Sequence, residues 1–317
     1  MVFFNGGPVI FSGNAHPELT KKICDHLGQQ PGGIEVFKFN NDNTFVRILE
    51  NVRQRDVFIV QPTSTPVNDH IMEMLIMIDA AKRASAGRIT AVLPYYSYAR
   101  TDKKDQPRVP ITARLIADLI STAGADRVIL VDLHAGQVQG FFSTQVDELT
   151  VMPLMVDYFK EKNLSNFVVV ATDIGISKRA RNFAAKLNVP LAIIEKRRVG
   201  NRDTAESLNL IGNVDGKAAV LFDDEINTGS SMISAAAMLR KNGATEIYAC
   251  ATHGVLPGDA AKNLAAAEGM CEIVISDTMP LAEANRNPKI TVISVAALLG
   301  EAINRIHKGQ SVGALFT

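Results

Sequence analysis

An acidic pair, Asp223 and Asp224, follows the apolar run at 218–222 and leads into EINTGSS and a helix-forming stretch. The first N–H groups of a helix lack partners and carry partial positive charge, so Thr228, Gly229, Ser230 and Ser231 can cradle a phosphate. Asn227 opens that loop. A carboxylate accepts hydrogen bonds from two neighbouring hydroxyls, so Asp223 and Asp224 beside a phosphate suit a polyhydroxylated ligand. Phosphate plus diol points to a sugar phosphate. The plain alternative is an ordinary strand-to-helix turn with a Thr or Ser cap.

Two further carboxylate or imidazole groups stand where predicted strands end, the edge at which open α/β sheets bind ligands. His134 closes RVILVDLH and Asp173 follows FVVVAT. Together they suit a divalent cation, Mg2+ with waters rather than a closed protein cage. His134 taken alone fits a turn cap equally well. Lys196, Arg197 and Arg198 begin a polar stretch predicted as a flexible loop. A solvated surface explains such a trio, but cations over a transferring phosphoryl group would stabilise its spreading charge. Arg100, Lys103, Lys104 and Arg108 share a proline-punctuated loop with Tyr95, Tyr96 and Tyr98, which suits a nucleotide, although aromatics after a strand often simply pack. No Walker A, GxGxxG or HRD motif occurs.

The elements that must position these groups alternate along the chain. Strands are predicted at 9–11, 56–61, 88–93, 127–132, 167–171, 191–194, 218–222, 247–251 and 273–275, with a hairpin across 34–48. Helices are predicted at 17–27, 70–85, 111–122, 153–160, 177–187, 231–241, 257–267 and 295–306. All-apolar strands alternating with helices predict α/β units, each a mostly parallel sheet covered on both faces. An internal duplication supports two such halves. AGADRVILVDLH, ending at His134, matches NGATEIYACATH, ending at His253, and ITAVLPYY matches KAAVLFDD. The boundary is predicted near residues 148–153, giving domains over 1–149 and 150–317, with the last helix able to return to the first domain.

With 317 residues and a formal net charge of zero, the chain has no global field to draw in nucleic acid or membrane. Its three cysteines show no CxxC spacing, the N-terminus lacks a signal-peptide pattern, and no long apolar span occurs. A cytoplasmic protein is the expectation.

Taken together, PVNDHIMEMLIMIDAAKRASAGRITAVLPYYSYAR, PITARLIADL, VDLHAGQVQGFF, IEKRR, FDDEINTGSS and the closing QSVGALF resemble ribose-phosphate diphosphokinases, also called phosphoribosyl pyrophosphate synthetases. The resemblance runs nearly end to end. It implies two tandem phosphoribosyltransferase-like domains, the first on the ATP side and the second on the ribose 5-phosphate side. It further implies Mg2+-dependent transfer of the β,γ-diphosphoryl group of ATP to the 1-hydroxyl of ribose 5-phosphate, with AMP leaving. Residue by residue, it places ribose 5-phosphate on Arg198, Asp223, Asp224, Asn227, Thr228, Gly229, Ser230 and Ser231. It assigns catalysis to Lys196 and Arg198, and the metal to His134 and Asp173. ATP falls on Phe39, Asn41, Asp42, Asn43, Arg100 and Thr101. In the family the turn at 39–43 comes from a neighbouring subunit, so a homo-oligomer, commonly a hexamer, is implied.

This chain departs from the family at several points. The usual F-S-D-G-E turn is Phe39-Asn40-Asn41-Asp42-Asn43, so two carboxylates become amides. The Gln after Arg100 is Thr101, the first Asp of the phosphate loop is Asn227, the second Gly after Asp173 is Ile176, and a proline is Gln145. Two alternatives follow from the residues. One is a non-catalytic regulatory homologue, against which the retained cations and metal residues speak. The other is a phosphoribosyltransferase, against which the second domain copy and the VDLHAGQVQGFF segment speak.

Overall fold

Runs in which every residue is apolar become central strands, because a parallel sheet is buried on both faces. The computed structural model describes residues 4, 6–198 and 206–315. The chain divides into two units, one within Met1–Thr150, Thr278–Pro280 and Ser294–Thr317, the other within Val151–Asp277 and Leu281–Ile293.

The first unit runs β1 (Val9–Ser12), α1 (Pro17–Leu27), β2 (Ile34–Lys38), β3 (Thr44–Ile48), β4 (Asp56–Val60), α2 (Val67–Arg83), β5 (Arg88–Leu93), α3 (Thr112–Ala123), β6 (Arg127–Val131) and β7 (Gln145–Leu149). Its parallel sheet has the order β1-β4-β5-β6-β7, while β2 and β3 form a separate antiparallel hairpin. The apolar stripe of α2, with Met74, Met77, Ile78 and Ala81, buries against Val57, Ile59, Ala91 and Leu93. Proline at the start of α1 and the left-handed Gly28 at its end (φ 70°) punctuate that helix as its sequence predicts.

The second unit runs α4 (Met152–Glu161), β8 (Phe167–Ala171), α5 (Ser177–Leu187), β9 (Leu191–Arg198), β10 (Glu206–Ile211), β11 (Ala218–Ile226), α6 (Ser230–Lys241), β12 (Glu246–Gly254), α7 (Ala260–Ala265), β13 (Met270–Ser276) and β14 (Ile290–Ile293). Its sheet has the order β10-β9-β8-β11-β12-β13-β14, parallel except for the β9–β10 pair. Strand order reverses between β8 and β11, which makes their carboxyl ends a topological switch point.

The closing helix α8 (Ala296–His307) belongs to the first unit rather than extending the second. It packs on α1, and a Cβ on Gly300 would lie only 2.7 Å from the His26 ring. Asp56, fully buried, accepts two N–H bonds from Arg88 at 2.8 and 2.6 Å, and His307 Nδ1 lies 2.9 Å from it. Arg88 also donates to the carbonyl of Ile306 at 3.0 Å, which ties the helix end to β4 and β5.

Three strands fall outside the sequence expectation: β7, β10 and β14. Each lies at the edge of its sheet. An edge strand needs no unbroken apolar run, and polar residues there discourage pairing with other chains. QVDEL and ESLNLI carry that polar character.

Candidate active site

In the second unit the candidate residues Asp173, Asp223 and Asp224 lie at or just past the carboxyl ends of the two strands that flank the switch point. β11 runs four residues beyond the expected end at Phe222, so Asp223, Asp224 and Glu225 belong to the strand itself. They stay in the strand because β12 extends alongside, pairing Asp223 with Ala251 and Glu225 with His253. Asp224 is buried and Asp223 half-buried. The Thr172 hydroxyl, just past the end of β8, donates to Asp223 Oδ2, and the Asp224 N–H donates to Asp223 Oδ1 at 2.9 Å. Burial pushes the Asp223 carboxyl up to about 7, and neighbouring Asp224 pushes it the same way, against the pull of its two donors.

Helix α6 begins at Ser230, with Gly229 as its cap residue in a left-handed conformation (φ 76°, ψ −8°) that glycine adopts without strain. As a glycine, the cap residue offers this helix start no side-chain acceptor of its own. The hydroxyls of Thr228 and Ser230 lie 3.0 Å apart, and Asn227, Thr228, Ser230 and Ser231 are exposed while Gly229 is buried. The loop therefore presents backbone N–H groups and hydroxyls together, which is what an anionic oxygen cluster needs. Asp173 follows Thr172, so its backbone lies beside the same strand ends. One of its oxygens, Oδ1, accepts the Ile176 N–H at 3.1 Å and shapes the turn into α5.

Lys196 and Arg198 are expected at the start of a loop, but their backbone forms the end of β9, with Lys196 opposite Leu208 and Arg198 opposite Glu206. The antiparallel partner β10, unforeseen in the sequence, extends the strand through the cationic residues. Their side chains, and residues 199–205, lie outside the described residues.

In the first unit, Arg100 and Thr101 follow β5, and His134 follows β6, its neighbour in the sheet. Arg100 and His134 are exposed. Thr101 does structural work: its hydroxyl donates to the Tyr98 carbonyl at 2.7 Å and accepts the Ala113 N–H at 3.2 Å, near the start of α3. Tyr96 packs, as the plainer reading holds, with its hydroxyl on the Ala113 carbonyl at 2.8 Å and its phenol pKa raised by burial. A Gln137–Asp102 hydrogen bond joins the His134 loop to the Arg100 loop.

The hairpin turn carries Phe39, Asn41, Asp42 and Asn43. Phe39 is 49% exposed and meets Phe37 and Phe45 at ring-centroid distances of 5.3 and 5.5 Å. Asp42 takes a left-handed φ of 67°, the conformation for which a glycine is the usual choice, and aspartate tolerates it better than most residues. Its carboxylate meets Lys38 at 2.8 Å, and Lys38 reaches Asp69 on α2 at 3.0 Å. Tyr98 donates to Asn68 at 2.9 Å, so hairpin and Arg100 loop are anchored on successive residues of the same helix turn.

One functional candidate escaped the sequence reading. Glu148 on β7 accepts the Leu133 N–H at 2.8 Å and also the Gln139 side-chain amide. Its only sequence signal is a carboxylate within a short polar strand.

Residues 8–124 match the N-terminal domain of ribose phosphate pyrophosphokinase, and residues 200–317 match the phosphoribosyl synthetase-associated domain. The ribose-phosphate pyrophosphokinase of Caldanaerobacter subterraneus subsp. tengcongensis is 52% identical over 309 residues, covering 97% of each chain. The chain belongs to the ribose-phosphate pyrophosphokinase family. Its members include the chloroplastic ribose-phosphate pyrophosphokinase 2 of Arabidopsis thaliana, 46% identical over 97% of this chain and 77% of that one. The crystal structure of phosphoribosylpyrophosphate synthetase from Mycobacterium smegmatis superposes with a TM-score of 0.91 at 42% identity, covering 96% of this chain and all 100% of that one. The protein is thus a transferase of this family, built from two phosphoribosyltransferase-like α/β units. Among the described residues no helix is long and apolar enough to cross a membrane.

Proposed function

We propose that this chain transfers the β,γ-diphosphoryl group of ATP to the 1-hydroxyl of ribose 5-phosphate, giving 5-phosphoribosyl 1-diphosphate and AMP. The observation that carries this reading is the carboxyl end of β11, where a carboxylate pair leads into a helix start of small and hydroxyl residues at the switch point of the sheet. Ribose 5-phosphate places its phosphate on the N–H groups and hydroxyls of Thr228, Gly229, Ser230 and Ser231, with Asn227 leading into that loop. Asp223 and Asp224 accept hydrogen bonds from ribose hydroxyls, which fixes the sugar and aims its 1-hydroxyl. That oxygen bonds to the β-phosphorus as the bond from this phosphorus to the α,β-bridging oxygen breaks. AMP leaves with the bridging oxygen, and the hydroxyl proton is released.

Lys196 and Arg198 serve the charge that spreads over the transferring group, with Arg198 also contacting ribose 5-phosphate. ATP is assigned to Arg100 and Thr101, and to Phe39, Asn41, Asp42 and Asn43 of a neighbouring copy in a homo-oligomer of hexamer type. The exposed aromatic hairpin, separate from the main sheet, supports that assignment. Asn41 and Asn43 offer the base amide donors as well as acceptors. Mg2+ is assigned to His134 and Asp173. Magnesium binds through one or two carboxylates plus phosphate oxygens and waters. Asp173 supplies a carboxylate to that donor set, and His134 adds an exposed imidazole. When bound, the ion supplies neutralisation of polyphosphate charge. A cytoplasmic setting is supported by three free cysteines, of which Cys24 and Cys250 are buried.

Phosphorus-31 NMR of the protein with ATP, ribose 5-phosphate and Mg2+ tests the reading. A new diphosphate on ribose C1 with AMP is expected. Folded oligomer with no turnover on ATP, GTP, CTP or dATP would overturn it in favour of a non-catalytic homologue.

A further inference from the structure

We propose that Glu148 is a positioning residue for the reaction, holding the His134 loop in place through both of its carboxylate oxygens. The inference rests on the reading of His134 as a magnesium contact.

At the end of β6 the Asp132 N–H makes the last rung of the ladder, to the Leu149 carbonyl at 2.9 Å. Asp132 then takes a φ of 42°, a left-handed turn that throws the chain out of the sheet. Leu133 is the first residue beyond the ladder, and it is 4% exposed. A buried N–H without a partner costs about 1–3 kcal/mol. Glu148 Oε1 supplies that partner at 2.8 Å, standing in for the carbonyl that a continued strand would have offered.

The other oxygen reaches farther round the loop. Glu148 Oε2 accepts the side-chain amide of Gln139, which also donates to the Gly136 carbonyl at 3.2 Å. Gln139 lies in the 3-10 turn Gly136–Phe141, whose start is fixed by the Val138 N–H on the Ala135 carbonyl at 3.0 Å. One carboxylate therefore grips the residue before His134 and a residue five positions after it. Both bonds involve an ionised acceptor, which makes them stronger than neutral ones. Glu148 touches neither substrate nor metal in this scheme. It sets where the His134 backbone sits, and hence where its imidazole is available.

The test uses the full-length protein with Glu148→Ala and Glu148→Gln. The glutamine variant keeps an oxygen for the Leu133 N–H, and the Gln139 amide can rotate to accept from the new amide. Hydrogen exchange of the segment 132–142 is measured by mass spectrometry without nucleotide, alongside Mg2+ half-saturation and the KM for ribose 5-phosphate. Glu148→Ala is expected to speed exchange in that segment by roughly tenfold or more, the size of a lost charge-assisted bond. Mg2+ half-saturation should rise several-fold, with the ribose 5-phosphate KM unchanged and Glu148→Gln restoring most of both. Unchanged exchange in Glu148→Ala overturns the inference, as does an equal rise in the ribose 5-phosphate KM. If exchange rises but Mg2+ use is unmoved in Glu148→Ala alone, Glu148 loses its role while His134 keeps its own. If His134→Ala also leaves Mg2+ use unmoved, the reading of His134 itself fails.

Discussion

Asp223 makes the stability of the second unit depend on pH with a sign opposite to that of an ordinary ion-paired aspartate. Its carboxyl is raised from 3.8 in the unfolded chain to about 7 in the folded one, chiefly by burial and then by Asp224. Between those values the folded protein holds a proton that the unfolded chain has released, so stability falls as pH rises through this window and levels off above it. The gap is about three pH units, and at 1.36 kcal/mol per unit the loss approaches roughly 4 kcal/mol for an isolated group.

Asp223→Asn removes the titration while keeping one acceptor for the Thr172 hydroxyl or the Asp224 N–H. Any lost hydrogen bond shifts the variant by a constant at all pH values. Urea unfolding of wild type and variant at pH 4 and pH 8, without ligands, isolates the pH-dependent part. The variant should gain on wild type by about 1–4 kcal/mol between pH 4 and pH 8. A difference that stays flat, or that grows in wild type's favour, would refute the assignment of a raised carboxyl to Asp223.

Two other perturbations probe separate parts of the molecule. Asp56→Ala leaves the Arg88 guanidinium without its buried partner and releases His307, so unfolding free energy should drop by about 3 kcal/mol with faster exchange in α8; a loss below about 1 kcal/mol would show that the cluster does not hold that helix. Lys196→Ala should lower kcat by roughly 10²–10³, the cost of removing one donor to transition-state charge, with little change in the ribose 5-phosphate KM. Unaltered turnover would remove Lys196 from the chemistry.

The central strands, most helices and the turn from β11 into α6 are legible in the chain before it folds. Those features have local causes: an unbroken, β-branched apolar run such as FVVVA suits a strand covered on both faces, and TGSS before a helical stripe suits its start. The family was legible for the same reason, since its motifs are contiguous. The remaining features depend on neighbours distant in the chain. β11 continues through Asp223 and Asp224 because β12 runs beside it, and β9 carries Lys196 and Arg198 because β10 pairs back onto it. Thr101 holds a helix start twelve residues away, and Glu148 completes a ladder that β6 abandons. The raised carboxyl of Asp223 comes from burial and a neighbouring acid, and no spacing in the sequence encodes either. Edge strands, long-range hydrogen bonds and desolvation are properties of packing, and they appear only once the chain has folded.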